Sequence, residues 1–274
     1  MRWSPLIHAT DPERFGGKAV SLARALRAGL PVPPGVALAD SFVTAIGEGN
    51  QAASVELAQL PLPCRAELAV RSSAVGEDSA SASFAGQHTS KLGVLAGETL
   101  REAVRAVWRS GLCEGALGYR DRLGLDQSPR MGVVIQRLIN ARVAGVLFTR
   151  NPITGATERV IEAAWGLGDS VVQGRVVPDL YRLSSDGTLI ELTQGYKRTG
   201  TRPLPAGGIA ERDERTAAPT LNQEELKALH ELALQCQQVW NCDHDIEWAF
   251  ARDGTLHLLQ HRPITRRSRH LART

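Results

Sequence analysis

The sequence predicts an α+β fold built as two lobes, and three observations predict it. Its 274 residues amount to two domains of roughly 150 residues each, or one large α/β unit, and 43% hydrophobic against 22% charged residues leave ample apolar side chains for a core. Helix-period segments dominate the first half, and strand-period segments begin near residue 131. A strong two-residue hairpin signal, Asp253-Gly254, joins two alternating segments near the C-terminus.

The elements follow in order. From Gly16 to Gly29, Val20, Leu22, Ala23 and Leu26 recur at helical spacing, with Gly29 as C-cap and Pro31, Pro33 and Pro34 enforcing an extended segment after it. Residues 40–63 read as one helical region ending in a Pro-containing loop, and 67–71 as a short buried strand. Leu100, Ala103, Val104, Val107 and Trp108 share one face of a helix over 98–109, and a second helix is expected over 113–123. Strands are expected from Met131, Arg142 and Glu158, separated by Asn140 and the turn NPITG. A hairpin over 179–192 turns at 185–187, and the Pro-, Gly- and charge-rich stretch 199–220 reads as a mobile loop. A long helix over 222–240 precedes the last hairpin. There is no internal repeat and no low-complexity tract.

Composition excludes several classes. With Lys+Arg 32 and Asp+Glu 29 the net charge is +3 and both signs are scattered, so no broad duplex-binding surface is implied, although a local phosphate pocket is compatible. Only residues 18, 91, 197 and 227 are lysines, which makes a lysine at a special position less ordinary here. The four cysteines show no CxxC spacing and no paired histidines, so neither a zinc site nor a disulfide framework is indicated. No signal-peptide run and no stretch of eighteen apolar residues occur, and the expectation is a soluble, cytoplasmic protein with no membrane partner.

The terminal hairpin carries the most chemistry. A two-residue turn at 253–254 sets Arg252 opposite Thr255, Glu247 opposite Gln260 and Asp245 opposite Arg262. With a period of two, those last four residues share one face beside Ala249, Leu258 and Leu256, while Ile246, Trp248, Phe250 and Leu259 take the other. His257 and His261 fall on the apolar face as packing residues. Two carboxylates and an amide oxygen on adjacent strands suit Mg²⁺, and an arginine beside them suits phosphate. The competing reading is a half-buried hairpin whose outer face is merely solvated, with Asp245 and Arg262 as an ordinary cross-strand pair. Gly16-Gly17-Lys18, opening a helix, offers N–H groups and an ammonium to an anion, but without GxxxxGK[ST] a plain helix start is the more ordinary reading. Arg71-Ser72-Ser73 leads from a strand into a loop of small residues able to approach a phosphate chain. Standing alone, Arg71 is more often a structural ion-pair partner.

In sequence order, FGGKAVSLARALRAGLPVPPG (15–35), LAVRSSAVGEDSASASFAGQH (68–88), VVIQRLINARVAGVLFTRNPITG (133–155), VIEAAWGLGDSVVQGRVVPD (160–179) and DIEWAFARDGTLHLLQHRPIT (245–265) resemble the N-terminal ATP-grasp domain of the phosphoenolpyruvate synthase, pyruvate phosphate dikinase and rifampicin phosphotransferase family. The resemblance covers almost the whole chain. It implies a two-lobed ATP-grasp fold, with lobes at 1–95 and 96–265 and a basic tail at 266–274, acting on ATP and Mg²⁺. By the same similarity Lys18 and Arg71 grip the nucleotide phosphates, and Gly86 and Ser90 lie in the loop covering them. Gln136, Leu138 and Ile139 belong to the hinge that meets adenine, and Glu162 is the acidic residue near the nucleotide. Asp245, Glu247 and Gln260 match the metal positions, with Glu247 also catalytic beside Lys18, Arg71 and Arg262, the last steadying the transferring phosphoryl group.

Ser90 departs from the family's more frequent threonine but keeps the hydroxyl. His88 reads as a loop or core residue, because the family's phosphohistidine belongs to another domain. Its TxxGG…SHxA-like stretch does not occur here. The resemblance therefore implies a kinase that passes the phosphoryl group to a histidine on a separate protein and thence to a small-molecule acceptor. The alternatives are a kinase acting directly on a small molecule and a nucleotide-binding regulatory module.

Overall fold

A computed structural model describes residues 2–62, 67–75, 89–113, 130–214 and 218–264. The chain divides into two compact units: Met1–Arg27 with Pro33–Leu138 and Pro203–Ile209, and Ala28–Val32 with Ile139–Arg202 and Ala210–Thr274. Helices and sheets occur in both, as the α+β expectation requires.

The first unit is built on a five-stranded antiparallel sheet in the order β1 (Trp3–Pro5), β2 (Gly35–Leu38), β5 (Met131–Arg137), β3 (Leu68–Ala74), β4 (Lys91–Val94). Alternation sends Leu68, Val70, Met131, Val133 and Ile135 to one face. There they pack with α2 (Asp40–Gly47), α3 (Gln51–Ala58) and α4 (Glu98–Ser110) into a closed apolar core. The alternate residues, Arg71, Ser73, Gly132, Val134 and Gln136, turn toward α1 (Pro12–Arg27). The expected boundary at 95/96 is therefore corrected to 138/139. β5 fills the middle of this sheet between β2 and β3, so it and α4 cannot belong to the second unit. The single helical region expected over 40–63 is two helices, broken where Gly49 takes φ +85°. The helix expected over 113–123 falls, from residue 114, outside the described residues, as do Gly86 and His88.

The second unit carries a six-stranded antiparallel sheet in the order β13 (Leu256–Pro263), β12 (His244–Ala251), β6 (Ala141–Phe148), β7 (Arg159–Trp165), β8 (Asp179–Leu183), β9 (Leu189–Thr193). A short helix, α5 (Asp169–Val172), follows β7. The long helix α6 (Gln223–Trp240) opens with a reciprocal cap, in which Asn222 Oδ1 accepts the Glu225 N–H and Glu225 accepts the Asn222 N–H. Its buried Leu226, Leu229, Leu232, Ala233 and Cys236 form the inward stripe. Residues 199–213 are not a loop but a small hairpin, β10 (Thr199–Pro203) with β11 (Ile209–Asp213). Thr201 bridges to Gly166, and Arg202 pairs with Glu214, so the polar composition reflects two short strands around a glycine turn. Asp179 is fully buried and satisfied: Lys197 Nζ lies 2.7 Å from its Oδ1, and the Thr220 N–H and hydroxyl donate to its Oδ2.

Gly16 takes φ +77° within α1, and a Cβ there would lie 1.8 Å from the Ser73 carbonyl oxygen. Gly29 has nearly the same φ, +79°, with nothing within 4 Å of a Cβ. Gly29→Ala is accordingly expected to cost about 1–2 kcal/mol of folding stability, the left-handed penalty alone, and Gly16→Ala clearly more, because backbone must also move. Urea melts of the two variants measure the difference. Equal losses would show that the close approach at Gly16 is immaterial.

Candidate functional site

The terminal hairpin reaches the expected pairing of its polar residues by two irregularities that cancel. The turn is one residue longer than expected: the Ala251 N–H donates to the Thr255 carbonyl at 2.9 Å, Gly254 takes φ +87°, and Phe250 faces Leu256. The register then shifts between Glu247 and Trp248, with Leu259 as the added residue of a bulge, so that Glu247 faces Gln260 and Asp245 faces Arg262. Those pairs are the expected ones, whereas the apolar face is corrected. Leu258 stands opposite Trp248, both buried, in the place expected for Leu259, and His257 stands opposite Ala249 on the polar side. His261 is a packing residue, with its ring 3.8 Å from that of Trp240 at the end of α6.

The neighbouring strands extend the polar face. Glu247 faces Val146 of β6, which faces Glu162 of β7, placing Gln260, Glu247, Val146 and Glu162 in one row. Arg262, Asp245, Phe148 and Val160 form the next row. Glu162 is thus two strands from Glu247, roughly 10 Å across the sheet, on the same face.

The electrostatics of this face are unbalanced. Asp245 Oδ2 lies 3.4 Å from Arg262 Nη2, but its buried Oδ1 has no hydrogen-bond partner among the described residues. Burial pushes the Asp245 carboxyl up to about 6, opposed by Arg262 and reinforced by the Glu247 and Glu162 charges. Burial also raises the Glu162 carboxyl. Gln260 is only 5% exposed. An oxygen-rich donor set with one orphaned carboxylate oxygen fits a small hard cation, although among the described residues no three His, Cys, Asp or Glu side chains are gathered closely enough to hold a metal unaided. Asp245, Glu247 and the Gln260 amide oxygen are the residues that would hold Mg²⁺.

The phosphate-gripping candidates lie in the first unit. Gly16 lets the GGK turn press against β3, where Ser73 Oγ accepts the Ala19 N–H at 2.9 Å and caps the helix after the kink. Lys18 on the following turn is 5% exposed. Arg71 projects from the same face of β3 as Ser73, so the GGK turn and the arginine share one side of the sheet. Gln136 is also on this face, but its Nε2 donates to the Pro33 carbonyl at 2.9 Å. Its amide nitrogen thus ties β5 to the proline segment. The Leu138 N–H donates to the Glu67 carbonyl, Ile139 is buried, and the division between the units falls between these two residues. Ser90 is exposed just before β4.

Residues 52–274 match the family described as pyruvate phosphate dikinase, AMP/ATP-binding domain. The chain is similar to the prodigiosin synthesizing transferase PigC of Serratia marcescens, 35% identical over 93% of this chain and 32% of the relative. It is 36% identical to a rifampicin phosphotransferase of Streptomyces sp over 73% of this chain and 24% of that protein. A probable phosphoenolpyruvate synthase of Methanothermobacter thermautotrophicus is 32% identical over 91% of this chain and 44% of its own length. Among solved structures, an L-amino acid ligase from Bacillus licheniformis overlaps 92% of this chain and 43% of its own, with 13% identity and a TM-score of 0.43. The chain spans less than half the length of these relatives. With most of its length matched, and with the hairpin and GGK turn formed by the residues its sequence singled out, this chain belongs to the pyruvate phosphate dikinase AMP/ATP-binding domain family.

Proposed function

We propose that the chain is the ATP-using part of a phosphotransferase of phosphoenolpyruvate synthase and dikinase type, with a two-lobed ATP-grasp fold. The observation that carries this is the half-buried Asp245 carboxylate, whose Oδ1 has no hydrogen-bond partner among the described residues, aligned with Glu247, Gln260 and Arg262 in a chain of an AMP/ATP-binding family. Mg²⁺ bound there supplies charge neutralisation to the nucleotide's phosphate oxygens. Asp245 and Glu247 give carboxylate oxygens and Gln260 an amide oxygen, and the guanidinium of Arg262 steadies the phosphoryl group in flight. Lys18 and Arg71 neutralise further phosphate oxygens, with Ser90 near the phosphates, and Gln136 to Ile139 with Glu162 serve the nucleoside end. The phosphoryl group passes to a histidine of a separate phosphohistidine domain and then to a small-molecule acceptor. The companion's presence on another chain and a cytoplasmic setting belong to this reading.

Arg262→Ala is expected to lower phosphoryl transfer about a thousandfold, the scale of arginine contacts in such reactions, while nucleotide affinity falls far less. Glu247→Ala is expected to abolish the Mg²⁺-dependent part of ATP affinity in titration calorimetry. Unchanged affinity and turnover in both variants would overturn the site. With labelled ATP, this chain stays unlabelled and a histidine-bearing companion takes the label. Label passing straight to a small molecule would instead favour direct transfer.

The pH response tests the electrostatics. Because the Asp245 carboxyl lies at about 6 in the fold against an ordinary 3.8, the folded state binds its proton more tightly. Its stability contribution is present below the unfolded value and is lost as pH rises through 6. Asp245→Asn is therefore expected to stabilise the nucleotide-free protein by roughly 2–3 kcal/mol at about pH 8 and by little at about pH 4. Denaturant melts across that range check it. A pH-independent difference would show that the carboxylate is not strained by burial.

A further inference from the structure

The turn TRNPITG (149–155) takes no part in the chemistry above, yet its side chains are heavily committed. Thr149 is 1% exposed. Its Oγ1 accepts the His244 N–H at 2.7 Å, and its own N–H donates to the His244 carbonyl at 2.9 Å. Arg150 Nε donates to Asp243 Oδ2 at 2.6 Å, while its Nη1 holds the Gly155 carbonyl and Thr157 Oγ1. Asp243 Oδ1 also accepts from Gln237 of α6, and its carbonyl accepts the Ile264 N–H beyond β13. Asn151 Oδ1 accepts the Ile153 and Thr154 N–H groups, and its Nδ2 donates to Glu158. The turn is thus internally braced. It grips Asp243 and His244, the two residues immediately ahead of Asp245.

We propose that this β6–β7 turn is a positioning clasp, in which Thr149 and Arg150 fix the start of β12 so that Asp245 and Glu247 present their carboxylates to a divalent cation. The proposal rests on reading those two residues as cation-holding. Its physical basis is leverage. β12 is held by neighbours along its length, but at its start the backbone N–H and carbonyl of His244 are anchored by Thr149, and the preceding carboxylate by Arg150 and Gln237. Removing Thr149 Oγ1 leaves a buried N–H without its acceptor and frees the strand end that carries Asp245. Groups that orient metal ligands from behind change metal affinity by about 10–100-fold when removed.

The test compares binding of the β,γ-imido analogue of ATP in Mg²⁺ and in EDTA by titration calorimetry, with thermal melts alongside. Thr149→Val is expected to weaken the Mg²⁺-dependent affinity about tenfold with the EDTA affinity within about twofold, and Thr149→Ser, which keeps the hydroxyl, to restore it. Arg150→Met, which alters an exposed guanidinium, is expected to give a smaller loss of the same kind, and it decides the matter if the valine variant does not fold. The clasp is overturned if these variants keep the wild-type gain from Mg²⁺, or lose affinity equally in both media, while Asp245→Ala abolishes the gain. If Asp245→Ala itself keeps the gain, the cation reading fails and the clasp falls with it.

Discussion

The register of β12 against β13 governs every other feature of the second unit's polar face. Alternation with a period of two means that a slip of one residue sends Gln260 and Arg262 to the side packed on α6 and brings Leu259 and His261 round in their place. The longer turn introduces such a slip, and the bulge at Leu259 removes it before the strand reaches the residues that matter. Apolar burial specifies the outcome on both sides of the bulge. Trp248 and Leu258 face each other on the buried side, and beyond the bulge Ile246 and His261 continue that side, with Trp240 stacked on His261. The polar residues are aligned because their alternates are held.

The same logic operates in the first unit through a different device. There a glycine with positive φ lets the backbone of the GGK turn approach β3 more closely than any side chain permits, and Ser73 converts that approach into a helix cap. The lysine's position thus follows from a contact in which it takes no part. Arg71 then lies two residues from Ser73 on the same strand face, so the cap and the guanidinium share one rigid element.

Much of this was legible in the sequence, and the part that was not has identifiable physical causes. Helix periods found α1, α4 and α6, and strand patterning with turn residues found β5 through β9 and the last hairpin. A plain two-residue turn predicts the Glu247–Gln260 and Asp245–Arg262 pairs only because the two irregularities cancel, and His257, which lies between the irregularities, takes the opposite face from the one that turn predicts. The lobe boundary failed because β5 continues directly toward β6 in sequence yet pairs with β2 and β3, a long-range pairing that local patterning cannot see. Residues 199–213 differ from the expected loop because two short strands rich in Gly, Pro and charged residues carry the composition of a loop. Nothing in the local pattern singles out Thr149, Arg150 or Asp243, since the partners of Thr149 and Arg150 lie more than ninety positions away.

A carboxylate such as Asp245 is held in the folded chain against its own preference. Burial and two neighbouring negative charges disfavour its ionised form, one oxygen has no hydrogen-bond partner among the described residues, and Arg262 at 3.4 Å compensates only in part. A cationic ligand reverses each of these terms at once, which neutral packing cannot do. A site that is strained without its ligand binds that ligand more tightly than one already satisfied, because relief of the strain adds to the affinity. The strain persists only where the surrounding structure over-determines the strand. That is the role of the buried row behind Asp245 and of the hydrogen bonds that hold Asp243 and His244 ahead of it.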